Sequence, residues 1–161
     1  MRDSYPDLLK SLPPADADAV LAMGRAVTLS SGAVLFQLGA DADQLYVIVR
    51  GRVNLTLPMQ VFGQEQDILV EERVAGQTLG WSALIPPHRF TLKATAQIDT
   101  ELLSFPRTAL LDHFAAHPRV GYAVVGNVAA TVGQRLQVFQ AMWLREMKRG
   151  LELSRGTGSA A

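Results

Sequence analysis

The stretch GAVLFQLGADADQLYVIVRGRVNL, residues 32–55, decides the fold class. Val34, Leu35 and Phe36 form one short apolar run and Leu45 to Val49 a second, with the turn-rich segment Gly39 to Asp43 between them. Across the Arg50-Gly51 hairpin, Val53, Leu55 and Leu57 alternate with polar residues, which is the period of a half-buried strand. Turn residues recur outside this window at Ser31-Gly32, Pro58, Gly63, Gly76 and Ile98 to Thr100. Short apolar runs at that spacing predict a sandwich or barrel of antiparallel strands.

Ile68 to Val74, Phe90 to Ala96 and Glu101 to Phe105 supply further strands, with Phe90, Leu92, Ala94 and Ala96 on one face and Thr91, Lys93 and Thr95 on the other. The roll is bounded at 25 and 105. Before it, residues 5–24 predict two short helices, with Leu8, Leu9 and Leu12 sharing one face and Ala19, Val20 and Met23 another. After it, helices are expected over 107–149: a short one from Thr108 to Phe114, ending near His117-Pro118, and a long one from Val120 to Met147. The region 1–150 reads as a single domain. The small, polar residues beyond Gly150 predict a disordered tail over 151–161.

The long segment carries a heptad seam, Val125, Ala129, Val132, Leu136, Phe139 and Trp143. Val124, Val128, Val138 and Met142 add a second stripe, so the apolar arc is wider than one contact needs. A homodimer through Val125, Val132, Leu136, Phe139 and Trp143 is expected; the alternative is that Phe139 and Trp143 fold back as a lid. Asn127 interrupts the apolar part, which is shorter than the roughly 18 residues of a membrane span.

Fifteen basic residues balance fifteen acidic ones, so no global charge argues for nucleic acid or an anionic membrane. The chain has no cysteine, which excludes disulfides, thiolate metal sites and thiol catalysis. Its N-terminus, MRDSYPDLLK, lacks the apolar core of a secretory signal, and a cytoplasmic location is expected.

The candidate site is LGWSALIPPHRFT, Leu79 to Thr91. A turn at Gly80 and one helical turn through Trp81, Ser82 and Ala83 predict backbone N–H groups converging on an anion. Arg89 supplies a guanidinium fork for phosphate or carboxylate, with Phe90 and Thr91 beside it. Read from these residues alone, Arg89 as a solvated loop arginine is an equal alternative.

The order of parts, the stretch Gly32 to Leu55 and the cassette from Leu79 to Ala96 together resemble the cyclic nucleotide-binding domain family, over about residues 8 to 147. The resemblance implies a mainly β fold with flanking helices: an eight-stranded antiparallel jelly roll, N-terminal helices, a short cassette helix and a long C-terminal helix. It implies a regulatory module that signals through that last helix to a partner protein, with a cyclic nucleotide as the family's ligand. Gly80, Ala83, Leu84 and Arg89 match the family cassette, whereas Trp81 stands at its glutamate position and Ser82 at an aliphatic one. An indole donates one hydrogen bond and accepts none, so the ribose contact of that glutamate is lost. Phe90 replaces a small residue and crowds a nucleotide. The expected ligand is therefore a small anion carrying phosphate or carboxylate, and cyclic AMP and cyclic GMP are expected to bind weakly or not at all. The alternative is a degenerate domain that binds nothing and serves as a dimerisation or adaptor module.

No helix-turn-helix segment is expected after the long helix, so sequence-specific DNA binding is not implied. A cupin-like metalloenzyme needs several inward histidines and a carboxylate, but of His88, His113 and His117 the last two lie after the roll. A haem sensor would use a histidine as axial ligand. No paired carboxylates or nucleophile elbow appear, so neither catalytic nor metal residues are expected and no cofactor beyond the family's nucleotide is implied.

Overall fold

A computed structural model describes residues 5–156. Among the described residues, eight strands form two four-stranded antiparallel sheets. The strands are β1 (Arg25–Leu29), β2 (Val34–Phe36), β3 (Gln44–Arg50), β4 (Arg52–Val61), β5 (Gln64–Val74), β6 (Thr78–Leu79), β7 (Lys93–Ala96) and β8 (Thr100–Pro106). One sheet has the order β1-β8-β3-β6 and the other β2-β7-β4-β5, so most neighbours are not consecutive in sequence, as a jelly roll requires. The helices are α1 (Pro14–Leu21), α2 (Arg107–Ala116) and α3 (Pro118–Gly156).

Register shows which residues look into the roll. Leu55 and Phe36 both lie opposite Ala94, and Val53 lies opposite Ala96; in the other sheet Tyr46 pairs with Ser104 and Ile48 with Leu102. The rings of Phe36 and Tyr46 lie 6.1 Å apart across the two sheets, so these faces meet. Val53, Leu55, Ala94, Ala96, Ile48 and Leu102 are all buried and form the interior.

Several sequence expectations shift by a few residues. Pro58 lies within β4 opposite Asp67, not in a turn. Pairing of β4 with β7 ends at Thr56, so at Pro58 one side of the strand is unpaired and a residue without N–H is tolerated. The expected strand from Phe90 is regular only from Lys93, although Phe90, Leu92, Ala94 and Ala96 are all buried as the alternation required. In α1 the buried residues are Ala17 and Val20, three apart, while Ala19 is exposed. The two-residue β6 had no periodicity to announce it.

The N-terminal segment is tied down by polar groups. Leu8, Leu9 and Leu12 are buried, and the Asp7 N–H donates to Gly76 O at 2.9 Å. The Asp7 carboxylate accepts from Thr78 Oγ1 and lies 3.6 Å from Nη1 of Arg73, whose Nε is 3.1 Å from Glu71. Arg73 is only 6% exposed, so these carboxylates offset the cost of burying its charge. Asn127, which interrupts the apolar run of α3, donates from Nδ2 to Leu8 O at 2.7 Å and Ser11 Oγ at 2.9 Å.

The chain divides into two compact units, Met1–Asn127 and Val128–Ala161. The described part of the second unit is the distal length of α3. The helix continues through Gly156, so residues 151–156, expected as part of a disordered tail, are helical; residues 157–161 lie outside the described residues. An isolated glycine such as Gly150 costs a helix only about 1 kcal/mol, which does not end it. Along α3, Val125 (43%), Leu136 (58%) and Trp143 (60%) are exposed, and Val132 and Phe139 are partly exposed.

Candidate ligand-binding site

The cassette begins where β6 ends. Gly80 has φ 75°, a left-handed conformation that favours glycine. A Cβ there would lie 3.1 Å from Gln44 O and 3.1 Å from the Phe90 ring, so space as well as backbone selects this residue. Trp81–Leu84 then form a single 3-10 turn, as the spacing predicted. Ser82, Ala83 and Leu84 are buried, while Trp81 is half-buried. The Ala83 N–H donates to Gly80 O at 3.0 Å and the Ile85 N–H to Ser82 O at 3.2 Å. The expected convergence of free N–H groups is thereby corrected at Ala83, whose donor closes its own turn.

The chain returns through His88, at φ 58°, with the His88 N–H on Ile85 O at 2.9 Å. Its Nδ1 lies 3.0 Å from Ala83 O and 3.3 Å from Ser82 O. A carbonyl only accepts, so Nδ1 carries the proton. Residues 88–90 lie against the loop 39–42: Ala42 N–H donates to His88 O (2.8 Å), Phe90 N–H to Ala40 O (3.0 Å) and Gly39 N–H to Phe90 O (2.8 Å). Asp41 and Arg89 form the bridge between the two segments.

This pairing sends Arg89 outward and Phe90 inward. Arg89 is exposed, and its Nη1 donates to Gly39 O at 3.3 Å. Phe90 is 4% exposed and stacks on Phe36 with centroids 3.8 Å apart and planes 7° from parallel. Thr91 is exposed. Gly80, Trp81, Ser82 and Ala83 thus sit together, Phe90 packs against Gly80, and Arg89 stands at the rim.

Phe36, stacked on Phe90, and Tyr46, whose ring lies 6.1 Å from that of Phe36, pack beside the cassette although the sequence marked them only as strand residues, because no local spacing announces contacts between residues so far apart in the chain. Burial, and secondarily the charge of Asp43, push the Tyr46 phenol above its ordinary pKa. Arg107 backs the rim loop, donating from Nη1 to Ala42 O at 3.0 Å and lying 3.5 Å from the Asp41 carboxylate. Among the described residues no three His, Cys, Asp or Glu side chains group to hold a metal, and no helix is long and apolar enough to cross a membrane.

Two four-stranded antiparallel sheets closed as a jelly roll, with a short turn started by Gly80 between β6 and β7, define the class of fold. Residues 26–117, more than half of the chain, match the cyclic nucleotide-binding domain family, and the chain belongs to that family. It is similar to the N-terminal domain of a transcriptional regulator from Streptomyces coelicolor (25% identity, TM-score 0.68, covering 85% of this chain and 94% of that one). It is also similar to the catabolite activator protein of Thermus thermophilus (26% identity, TM-score 0.67, 92% of this chain and 63% of that one). A lysophospholipase nte1 from Neurospora crassa is 27% identical over 104 residues, which is 65% of this chain but 7% of that protein's length. Domains of this family are generally regulatory and not enzymatic.

Proposed function

We propose that the protein is a non-catalytic sensor that binds a small phosphate- or carboxylate-bearing anion at the Gly80 to Thr91 cassette and signals through α3 to a partner. The observation that supports this reading is the position of Arg89 beside the cassette turn: it bridges to the loop 39–42, its Nη1 donates to Gly39 O at 3.3 Å, and its guanidinium stays exposed to an incoming oxyanion. The stacked Phe36 and Phe90 rings stand in the interior, which favours a small anion over a purine ligand. The same stack favours the second reading, a degenerate domain without ligand. Thermal unfolding in rising inorganic phosphate at fixed ionic strength separates them. The wild type should gain stability with phosphate, as mass action requires, and Arg89→Ala should not. Identical curves would remove Arg89 from the function.

The exposed α3 residues Val125, Leu136 and Trp143 support homodimerisation along that helix, with Val132 and Phe139 completing the seam. Leaving each large apolar side chain in water forgoes roughly 2 kcal/mol, and a second copy recovers it symmetrically. Light scattering at micromolar concentration should give twice the 17.5 kDa chain mass, falling to the single-chain value in Phe139→Glu. A wild-type mass of one chain would reject the dimer.

A further inference from the structure

Resting on the reading of Arg89 as the group that grips the anion, we propose that Arg107, the first residue of α2, holds the Asp41 carboxylate away from Arg89 and so keeps that guanidinium open. Asp41 and Arg89 are partners in an antiparallel bridge. The hydrogen bonds flanking them run from Ala42 N–H to His88 O and from Phe90 N–H to Ala40 O, so the two residues exchange none themselves. Facing residues of that kind approach most closely in an antiparallel pair, with their side chains on the same side. The Asp41 carboxylate therefore stands within reach of the Arg89 guanidinium.

Its ion pair is nevertheless with another residue. Asp41 Oδ1 lies 3.5 Å from Nη1 of Arg107, while Arg89 donates to Gly39 O at 3.3 Å. Arg107 is fixed for this task at two points: its backbone N–H donates to Asp43 O at 2.8 Å and its Nη1 to Ala42 O at 3.0 Å, and its side chain is less exposed than that of Asp41. The helix itself gains nothing from an arginine here. Arg107 occupies the end of α2 whose partial positive charge opposes a cation, and no acidic residue stands in that first turn. What the arginine serves is the loop. A carboxylate that closed on Arg89 would occupy the fork an incoming oxyanion needs, so the side to which Asp41 turns decides whether the rim is open.

The test follows the Arg89 Nε–Hε cross-peak in the nuclear magnetic resonance spectrum of the full, isotope-labelled chain, identified by its loss in Arg89→Ala. Without ligand, Arg107→Gln should shift this peak as Asp41 turns to Arg89, and in the Asp41→Asn background the same substitution should leave it in place. An Asp43→Asn background should not cancel the shift. A peak unmoved by Arg107→Gln, or a shift that persists in Asp41→Asn/Arg107→Gln, would overturn the role of Arg107 whatever phosphate does. Titration with inorganic phosphate at fixed ionic strength then reads the consequence. Asp41→Asn should tighten binding by about two- to fivefold and Arg107→Gln weaken it by a similar factor, the range that exposed charge pairs support, while Arg107→Lys stays near wild type. Equal weakening by Arg107→Gln with Asp41 present or replaced would make Arg107 a structural residue only and overturn the proposal. A cross-peak that shifts as expected, with no phosphate response in wild type or Asp41→Asn, would instead sink the anion reading and leave the hold of Arg107 on Asp41 standing.

Discussion

Phe90→Ala should lower the free energy of unfolding by about 3–5 kcal/mol, read as a lower urea midpoint at unchanged slope. The ring is 4% exposed and lies 3.8 Å from that of Phe36, so truncation removes its transfer free energy and leaves a gap between two sheets that cannot easily close. It also removes the ring against which Gly80 is packed, so the cassette turn should loosen together with the core. A loss below about 1 kcal/mol would show that the interior relaxes around the gap and that Phe90 does not organise the site.

Gly51→Val should be comparably damaging, by about 4 kcal/mol, for a different reason. Gly51 joins β3 to β4 at φ 108°, and a Cβ there would lie 2.7 Å from Thr100 Cα and 2.8 Å from Asp99 O, both backbone atoms that cannot swing away. Backbone strain contributes roughly 1–3 kcal/mol and overpacking a similar amount. Gly63→Ala is the control, because Gly63 has φ 77° but nothing within 4 Å of its built Cβ. It should show strain alone, about 1 kcal/mol, in the same urea assay. Equal losses at both glycines would mean that the close approach to Thr100 is not what Gly51 serves.

Strands β3 and β4 were legible because one face is buried, and burial imposes a period of two on Val53, Leu55 and Leu57; β5 buries only Arg73, and its start at Gln64 was not legible. The cassette turn at Trp81–Leu84 was legible through Gly80. The free-donor ring was not, because whether the Ala83 N–H is available depends on where Gly80 O points, which composition does not encode. Phe90 read as a crowding residue, and its actual partner, Phe36, lies on another strand whose proximity is set by sheet order. Tyr46 was likewise invisible as a site residue, since its approach to Phe36 at 6.1 Å is a consequence of closing the roll. The extent of α3 was underestimated because Gly150 and the small residues after it look like a stop, yet Leu151, Glu152 and Leu153 carry the helix onward to Gly156.

Trp81 stands where the resemblance puts the family's glutamate, and the Phe36 and Phe90 rings stack in the interior; from these we propose that the cyclic nucleotide-binding fold is kept while the ribose contact is not. Calorimetric titration of the purified chain with cyclic AMP, and separately with cyclic GMP, tests this most directly. No saturable heat is expected at micromolar concentrations for either nucleotide. A dissociation constant in the low micromolar range or tighter, about −8 kcal/mol of binding free energy, would contradict it.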